Sequence, residues 1–123
     1  MNQLRARGLD EGPFRAAVFD VVSQIPAGKV ADIGAIAESL GYPPDASRLV
    51  GWVIQSASPD VPWHRVTDND GALPQRPGRH PIEQAALLGN EGIDVLPGPK
   101  VDLDRYGWKP EPSRFRGPIV SFR

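Results

Sequence analysis

Asp32-Ile33-Gly34-Ala35-Ile36-Ala37-Glu38-Ser39-Leu40-Gly41-Tyr42-Pro43-Pro44-Asp45, continuing as Ala46-Ser47-Arg48-Leu49-Val50-Gly51-Trp52-Val53-Ile54, is the stretch that decides the fold. Asp32 precedes an apolar run and can accept a hydrogen bond from the unpaired N–H groups of a first helical turn. Ile33, Ile36, Ala37 and Leu40 then recur at helical spacing and share one face. Gly41 sits where a left-handed residue closes a helix. Pro43-Pro44-Asp45 starts a second helix, whose apolar face is Ala46, Leu49, Val50, Val53 and Ile54. Two helices joined by a short glycine-containing turn form a helix-turn-helix.

The flanks extend this reading. Upstream, Pro13 suits a first helical turn, and Phe14, Val18, Val21, Val22 and Ile25 repeat at helical spacing until Pro26-Ala27-Gly28. Residues 1–12 are polar and read as a flexible arm. Downstream, Val66-Thr67 and Ala72-Leu73 flank Asp68-Asn69-Asp70-Gly71, which predicts a β-hairpin where a winged helix-turn-helix carries its wing. Residues 74–80 predict a loop, and Pro81 to about Leu88 a helix bounded by Gly89. Ile93–Val95 and Lys100–Tyr106 predict one or two short strands. The expected architecture is mainly α with a small β-hairpin wing: a winged helix-turn-helix-like domain over residues 13–110, followed by a Pro- and Arg-containing tail over 111–123.

Composition narrows the function classes. With 123 residues, 40% of them hydrophobic, the chain suits one domain with a modest core. No uninterrupted apolar stretch approaches the ~20 residues needed to cross a bilayer, and no apolar run follows the basic start Met1-Asn2-Gln3-Leu4-Arg5. A soluble, cytoplasmic protein without a membrane partner is therefore expected. The chain has no cysteine, which removes disulfides, thiolate metal sites and thiol nucleophiles together. Two histidines, His64 and His80, are too few for a structural zinc site. The net charge is −1, yet Arg105, Lys109, Arg114, Arg116 and Arg123 face a single acid, Glu111, from residue 105 onward. Such a tail suits either a nucleic-acid backbone or plain solvent.

The glycines form neither a P-loop nor a dinucleotide fingerprint, no serine sits in a nucleophile elbow, and no pair of carboxylates stands out. No cofactor or metal is expected. One segment is distinctive: Val61-Pro62-Trp63-His64-Arg65-Val66. It resembles the Pro-Cys-His-Arg-Val signature of the O6-alkylguanine-DNA alkyltransferases, and in particular their alkyltransferase-like relatives, where tryptophan often replaces the cysteine. Four further stretches resemble the family in order. They are Ile25-Pro26-Ala27-Gly28-Lys29-Val30 before the helix-turn-helix, Ala46-Ser47-Arg48-Leu49-Val50-Gly51 as the recognition helix, Leu87-Leu88-Gly89-Asn90-Glu91-Gly92 as a helix end, and Tyr106-Gly107-Trp108-Lys109-Pro110 as the ending.

The resemblance implies a domain of the alkyltransferase C-terminal type that presses its helix-turn-helix into the DNA minor groove and rotates a damaged nucleotide into a pocket. An alkylated, badly paired guanine costs less to extrude than a normal one. Arg48 matches the arginine that fills the gap left by the base, and Ser47 lies beside it. Trp63 stands at the acceptor cysteine, and an indole offers an N–H donor but no nucleophilic lone pair. Methyl transfer from that position is thus excluded chemically, while a flat ring can still stack on a purine. His64 and Glu91 match the pair that activates the cysteine; without a thiol they would hold the loop, with Pro62 and Arg65 beside them. Ile54 matches a pocket wall. Arg76, 13 residues after Trp63, falls where alkyltransferase-like proteins place an arginine on the flipped base. One departure is Ile33, which stands at the family's usual tyrosine; it can wedge but has no hydroxyl for a phosphate, and Asp32 would repel one.

Three readings follow. The first is a monomeric, non-enzymatic protein that binds O6-alkylguanine in duplex DNA, flips it and flags it for nucleotide excision repair proteins. The second is a winged-helix regulator without lesion specificity, although Arg48 and Gln55 are nearly the only base-reading side chains the recognition helix offers. The third is a degenerate scaffold that no longer binds DNA; an active alkyltransferase using another nucleophile is the remaining alternative, and the missing cysteine argues against it.

Overall fold

The computed structural model describes residues 11–75 and 80–112. Helix α1 (Glu11–Ser23) begins two residues before Pro13, inside the segment expected to be an arm. Proline is tolerated there because the first-turn N–H groups have no helical partner. Its apolar stripe, Phe14, Val18, Val21 and Val22, is buried, as is Ile25 just past the end. Arg15 donates to the Ser56 hydroxyl and lies over the Phe19 and Trp52 rings, 5.8 and 5.9 Å from their centroids.

After a turn closed by Gly28 at φ +84°, Val30 donates to Tyr106 C=O and accepts from Trp108 N–H. Strand β1 (Ala31–Asp32) leads straight into α2 (Ile33–Ser39). Asp32 is the N-cap, its Oδ1 accepting from Ala35 N–H at 2.8 Å. Asp32→Ala is expected to lower stability by about 1 kcal/mol in urea unfolding, whereas Asp32→Asn, which keeps an acceptor, should lose only a few tenths. Equal losses would remove the cap from the account. The helix closes in a Schellman arrangement, Gly41 N–H on Glu38 C=O and Tyr42 N–H on Ala37 C=O, with Gly41 at φ +81°. A single 3₁₀ turn (Pro44–Ala46) then enters α3 (Ser47–Ile54). These elements and Trp63 enclose the main core, whose fully buried residues include Val18, Ile36, Val50, Val53 and Ile54. The helix-turn-helix is present as expected.

The wing differs in detail. The Asp68–Gly71 turn forms, with Gly71 at φ +90° and N–H donated to Asp68 C=O, but its arms do not build a two-stranded ladder. Strand β2 (Val66–Thr67) pairs instead in parallel with β1, Ala31 opposite Val66 and Asp32 opposite Thr67. The far arm pairs elsewhere: Leu73 donates to Pro99 C=O, and Ala72 bridges to Lys100. The fold remains mainly helical with this small two-stranded sheet.

Helix α4 (Pro81–Asn90) runs through Gly89 rather than stopping there. Its true stop is Gly92 at φ +87°, with Gly92 N–H on Gly89 C=O and Ile93 N–H on Leu88 C=O. The strands expected at 93–95 and 100–106 are absent among the described residues. Bridges join Leu96 and Ala72 to Lys100, and a short helix α5 (Leu103–Tyr106) replaces the second strand, because Asp102 Oδ1 caps Asp104 N–H. Val30, Leu73, Leu88, Ile93, Val101 and Tyr106 make a second, smaller core beneath this half.

Candidate nucleic-acid interface

Trp63 opens a one-turn 3₁₀ helix (Trp63–Arg65) directly before β2. Pro62 fixes the entry, and Arg65 N–H donates to Pro62 C=O at 3.0 Å. The Trp63 ring is only 6% exposed and belongs to the main core, with the His64 ring edge-on at 6.2 Å between centroids. In the free protein it is therefore a core residue, not an open stacking platform.

The turn is clamped by Glu91, the C-cap of α4. His64 Nε2 lies 2.8 Å from Glu91 Oε2, and Arg65 donates from Nε to both carboxylate oxygens at 3.0 and 3.1 Å and from Nη2 to Oε2 at 2.6 Å. Arg65 Nη1 continues to Ile25 C=O at 2.8 Å, and Gly28 N–H donates to Glu91 Oε1 at 3.2 Å. Burial on its own would raise the Glu91 carboxyl pKa. Hydrogen bonds from Arg65, His64 and Gly28 outweigh it and hold the group at about 2, below its ordinary 4.5. With Glu91 ionised, His64 must carry its hydrogen on Nε2. The cluster joins three separated segments, around residues 25–28, 63–65 and 91, and contains no nucleophile.

Arg48, the second residue of α3, is exposed and has no hydrogen-bond or ion-pair partner among the described residues. An exposed guanidinium at a helix start suits an outside ligand. Its neighbour Ser47 is buried at the helix start. Ile54 is completely buried and shares the main core with Trp63. Ile33 is 9% exposed and faces that core, so the expected wedge is not presented at the surface. The reason is local: as first residue of α2 it continues the Ile36–Ala37–Leu40 stripe. Arg76 lies outside the described residues.

Two contributors were not singled out from sequence. Asn69, in the wing turn, accepts the Gly34 N–H at 2.8 Å, so the start of α2 carries caps from both Asp32 and Asn69. Gln84, on α4, is buried against the Trp63–Arg65 turn. Among the described residues no group of histidines and carboxylates could hold a metal ion, and no helix is long and apolar enough to cross a membrane.

The profile of the 6-O-methylguanine DNA methyltransferase DNA-binding domain matches residues 13–93. Alkyltransferase-like protein 1 of Schizosaccharomyces pombe is 36% identical over 104 residues, spanning 79% of this chain and 95% of the relative. A DNA base-flipping protein of Escherichia coli is 34% identical over 100 residues, 80% of this chain and 76% of that protein. Among solved structures, S. pombe Atl1 in complex with damaged DNA containing O6-carboxymethylguanine superposes with a TM-score of 0.69 at 35% identity, covering 79% of this chain and 95% of that one. Mycobacterium tuberculosis O6-methylguanine methyltransferase gives a TM-score of 0.58 at 32% identity, covering 68% of this chain and half of that enzyme. The chain belongs to the family of 6-O-methylguanine DNA methyltransferase DNA-binding domains, in its alkyltransferase-like branch.

Proposed function

We propose that this protein binds O6-alkylguanine in duplex DNA, rotates the damaged base out of the stack and holds it without removing the alkyl group. The observation that carries this reading is the likeness to an alkyltransferase-like protein solved on O6-carboxymethylguanine DNA, in a chain that contains no cysteine. Exposed Arg48 at the start of α3 supplies the group that fills the vacated stack. Trp63 and Arg76 contact the base, Ile54 supports Trp63 from within the core they share, and Glu91, His64 and Arg65 hold the turn that carries Trp63. A bound but unrepaired lesion needs a second activity to remove it. Hand-over to nucleotide excision repair proteins is the outcome consistent with the family resemblance, with this chain acting as a monomer.

The direct test titrates the full chain against two duplexes identical except for one O6-methylguanine, at several salt concentrations. Phosphate contacts alone give an affinity that is salt-sensitive and blind to the lesion. The methylated duplex is expected to bind at least about tenfold tighter, a difference of ~1.4 kcal/mol. Arg48→Ala should abolish that preference while leaving the protein folded, since the side chain is exposed. Label carried on the methyl group should stay with the DNA. Equal affinity for both duplexes leaves a general DNA binder, and no binding to either leaves a scaffold.

A further inference from the structure

Gln84 is a polar residue of α4, yet it is 2% exposed. Its Nε2 donates to His64 C=O at 3.0 Å and to Val66 C=O at 2.8 Å. Both hydrogens of the amide are thereby committed, and the two carbonyls bracket Arg65. Seven residues further on, two turns along the same face of the helix, Glu91 holds the side chains of His64 and Arg65. Leu88 lies between them, completely buried. One face of α4 thus grips the Trp63–Arg65 turn twice, by its backbone at one end and by its side chains at the other.

Packing already holds the helix in place, since Leu87 lies against the main core and Leu88 fills the second one. A buried amide adds something packing does not, since it is costly unless both donors are satisfied, and only one placement of the turn satisfies them. We infer that Gln84 is a positioning residue for lesion discrimination: by fixing the His64 and Val66 carbonyls it sets where the Trp63 ring stands relative to an incoming base. This rests on the lesion-binding reading above. Discrimination depends on the fit of a single alkyl group beside the turn, which a small displacement would spoil. Phosphate contacts made by the helix-turn-helix do not pass through Gln84, so binding to undamaged DNA should not depend on it.

The test compares the ratio of affinities for methylated and unmodified duplex in the full chain, in Gln84→Met and in Leu88→Val. A ratio is insensitive to the fraction of protein folded, which cancels between the two duplexes. Gln84→Met keeps length and removes both donors; it should lower the ratio by about tenfold with affinity for unmodified duplex unchanged. Leu88→Val weakens packing without touching the carbonyls and should keep the ratio at the unaltered protein's value. Gln84→Asn, whose amide falls one methylene short, provides the same test if the methionine variant folds poorly. A ratio retained in the Gln84 variants, alongside a lesion preference in the unaltered protein, overturns the inference alone. An equal loss of ratio in Leu88→Val reduces Gln84 to a packing residue and also overturns it. No lesion preference in the unaltered protein overturns it together with the reading on which it rests.

Discussion

Trp63→Ala is expected to lower the free energy of unfolding by about 3–5 kcal/mol, the range for deleting a large buried aromatic. The ring is 6% exposed and shares a core with α1, α2 and α3, so its removal leaves a cavity among Val, Ile and Leu side chains that are already locked. For a domain of this size each kcal/mol moves the melting temperature by roughly 4–8 °C, which makes the change large in a simple thermal scan. Trp63→Phe keeps most of the volume and should lose far less. A fall of under about 1 kcal/mol for the alanine variant would mean that the ring is not packed as described. The consequence reaches beyond stability. A residue that is both core and proposed contact cannot be tested by alanine alone, because lost binding and lost fold arrive together. The phenylalanine variant, assayed well below its melting temperature, separates them: the fold persists, and only the larger flat surface and its N–H are gone.

How much of this was legible in the sequence depended on whether the signal was local. Asp32, the Ile33–Ile36–Ala37–Leu40 stripe and Gly41 all act within one helix, and all do what their spacing predicts. The turn at Asp68–Gly71 was equally local and also forms. What failed was its consequence. The partner of Val66–Thr67 lies 35 residues upstream in β1, and nothing in a tight turn forbids its arms from pairing elsewhere. The strand expected at 100–106 failed for a related reason: Asp102, one side chain able to cap a helical turn, outweighed a weak strand pattern. Gly89 misled because glycine is tolerated inside a helix when a stronger stop, here Gly92, follows closely. The site divides along the same line. Trp63, His64, Arg65 and Glu91 became visible through resemblance, and the structure brings them together. Gln84 did not, since its burial is created by carbonyls 18 and 20 residues away. Ile33 lies on the inward face that its spacing with Ile36, Ala37 and Leu40 predicts, which leaves little of it at the surface for the wedge that the resemblance implies.

The second large effect centres on Glu91. Glu91→Gln keeps the shape and one acceptor oxygen but removes the charge, leaving the half-buried Arg65 guanidinium without its anion and the Trp63–Arg65 turn without its clamp. Truncating one partner of such a pair is expected to lower stability by about 2–4 kcal/mol. The pH dependence gives the effect a signature. In the folded protein the carboxyl is held at about 2 against an ordinary value of 4.5. A folded-state pKa that lies below the unfolded one means that the unfolded chain takes up the proton first as acid is added. The stabilisation from Glu91 is therefore complete above about pH 5, declines as pH falls through 4.5, and is spent by about 2. The difference in stability between the unaltered protein and Glu91→Gln should narrow steadily as pH falls from about 5 towards 2, as measured by urea unfolding at each pH. A gap that stays constant down to pH 3 would mean that Glu91 carries no depressed pKa and that the clamp is not ionic. Pairing Glu91→Gln with Arg65→Met adds a second condition. If the two act through one contact, the loss in the double variant should be clearly smaller than the sum of the two single losses, the remainder reflecting the Arg65 bond to Ile25 C=O.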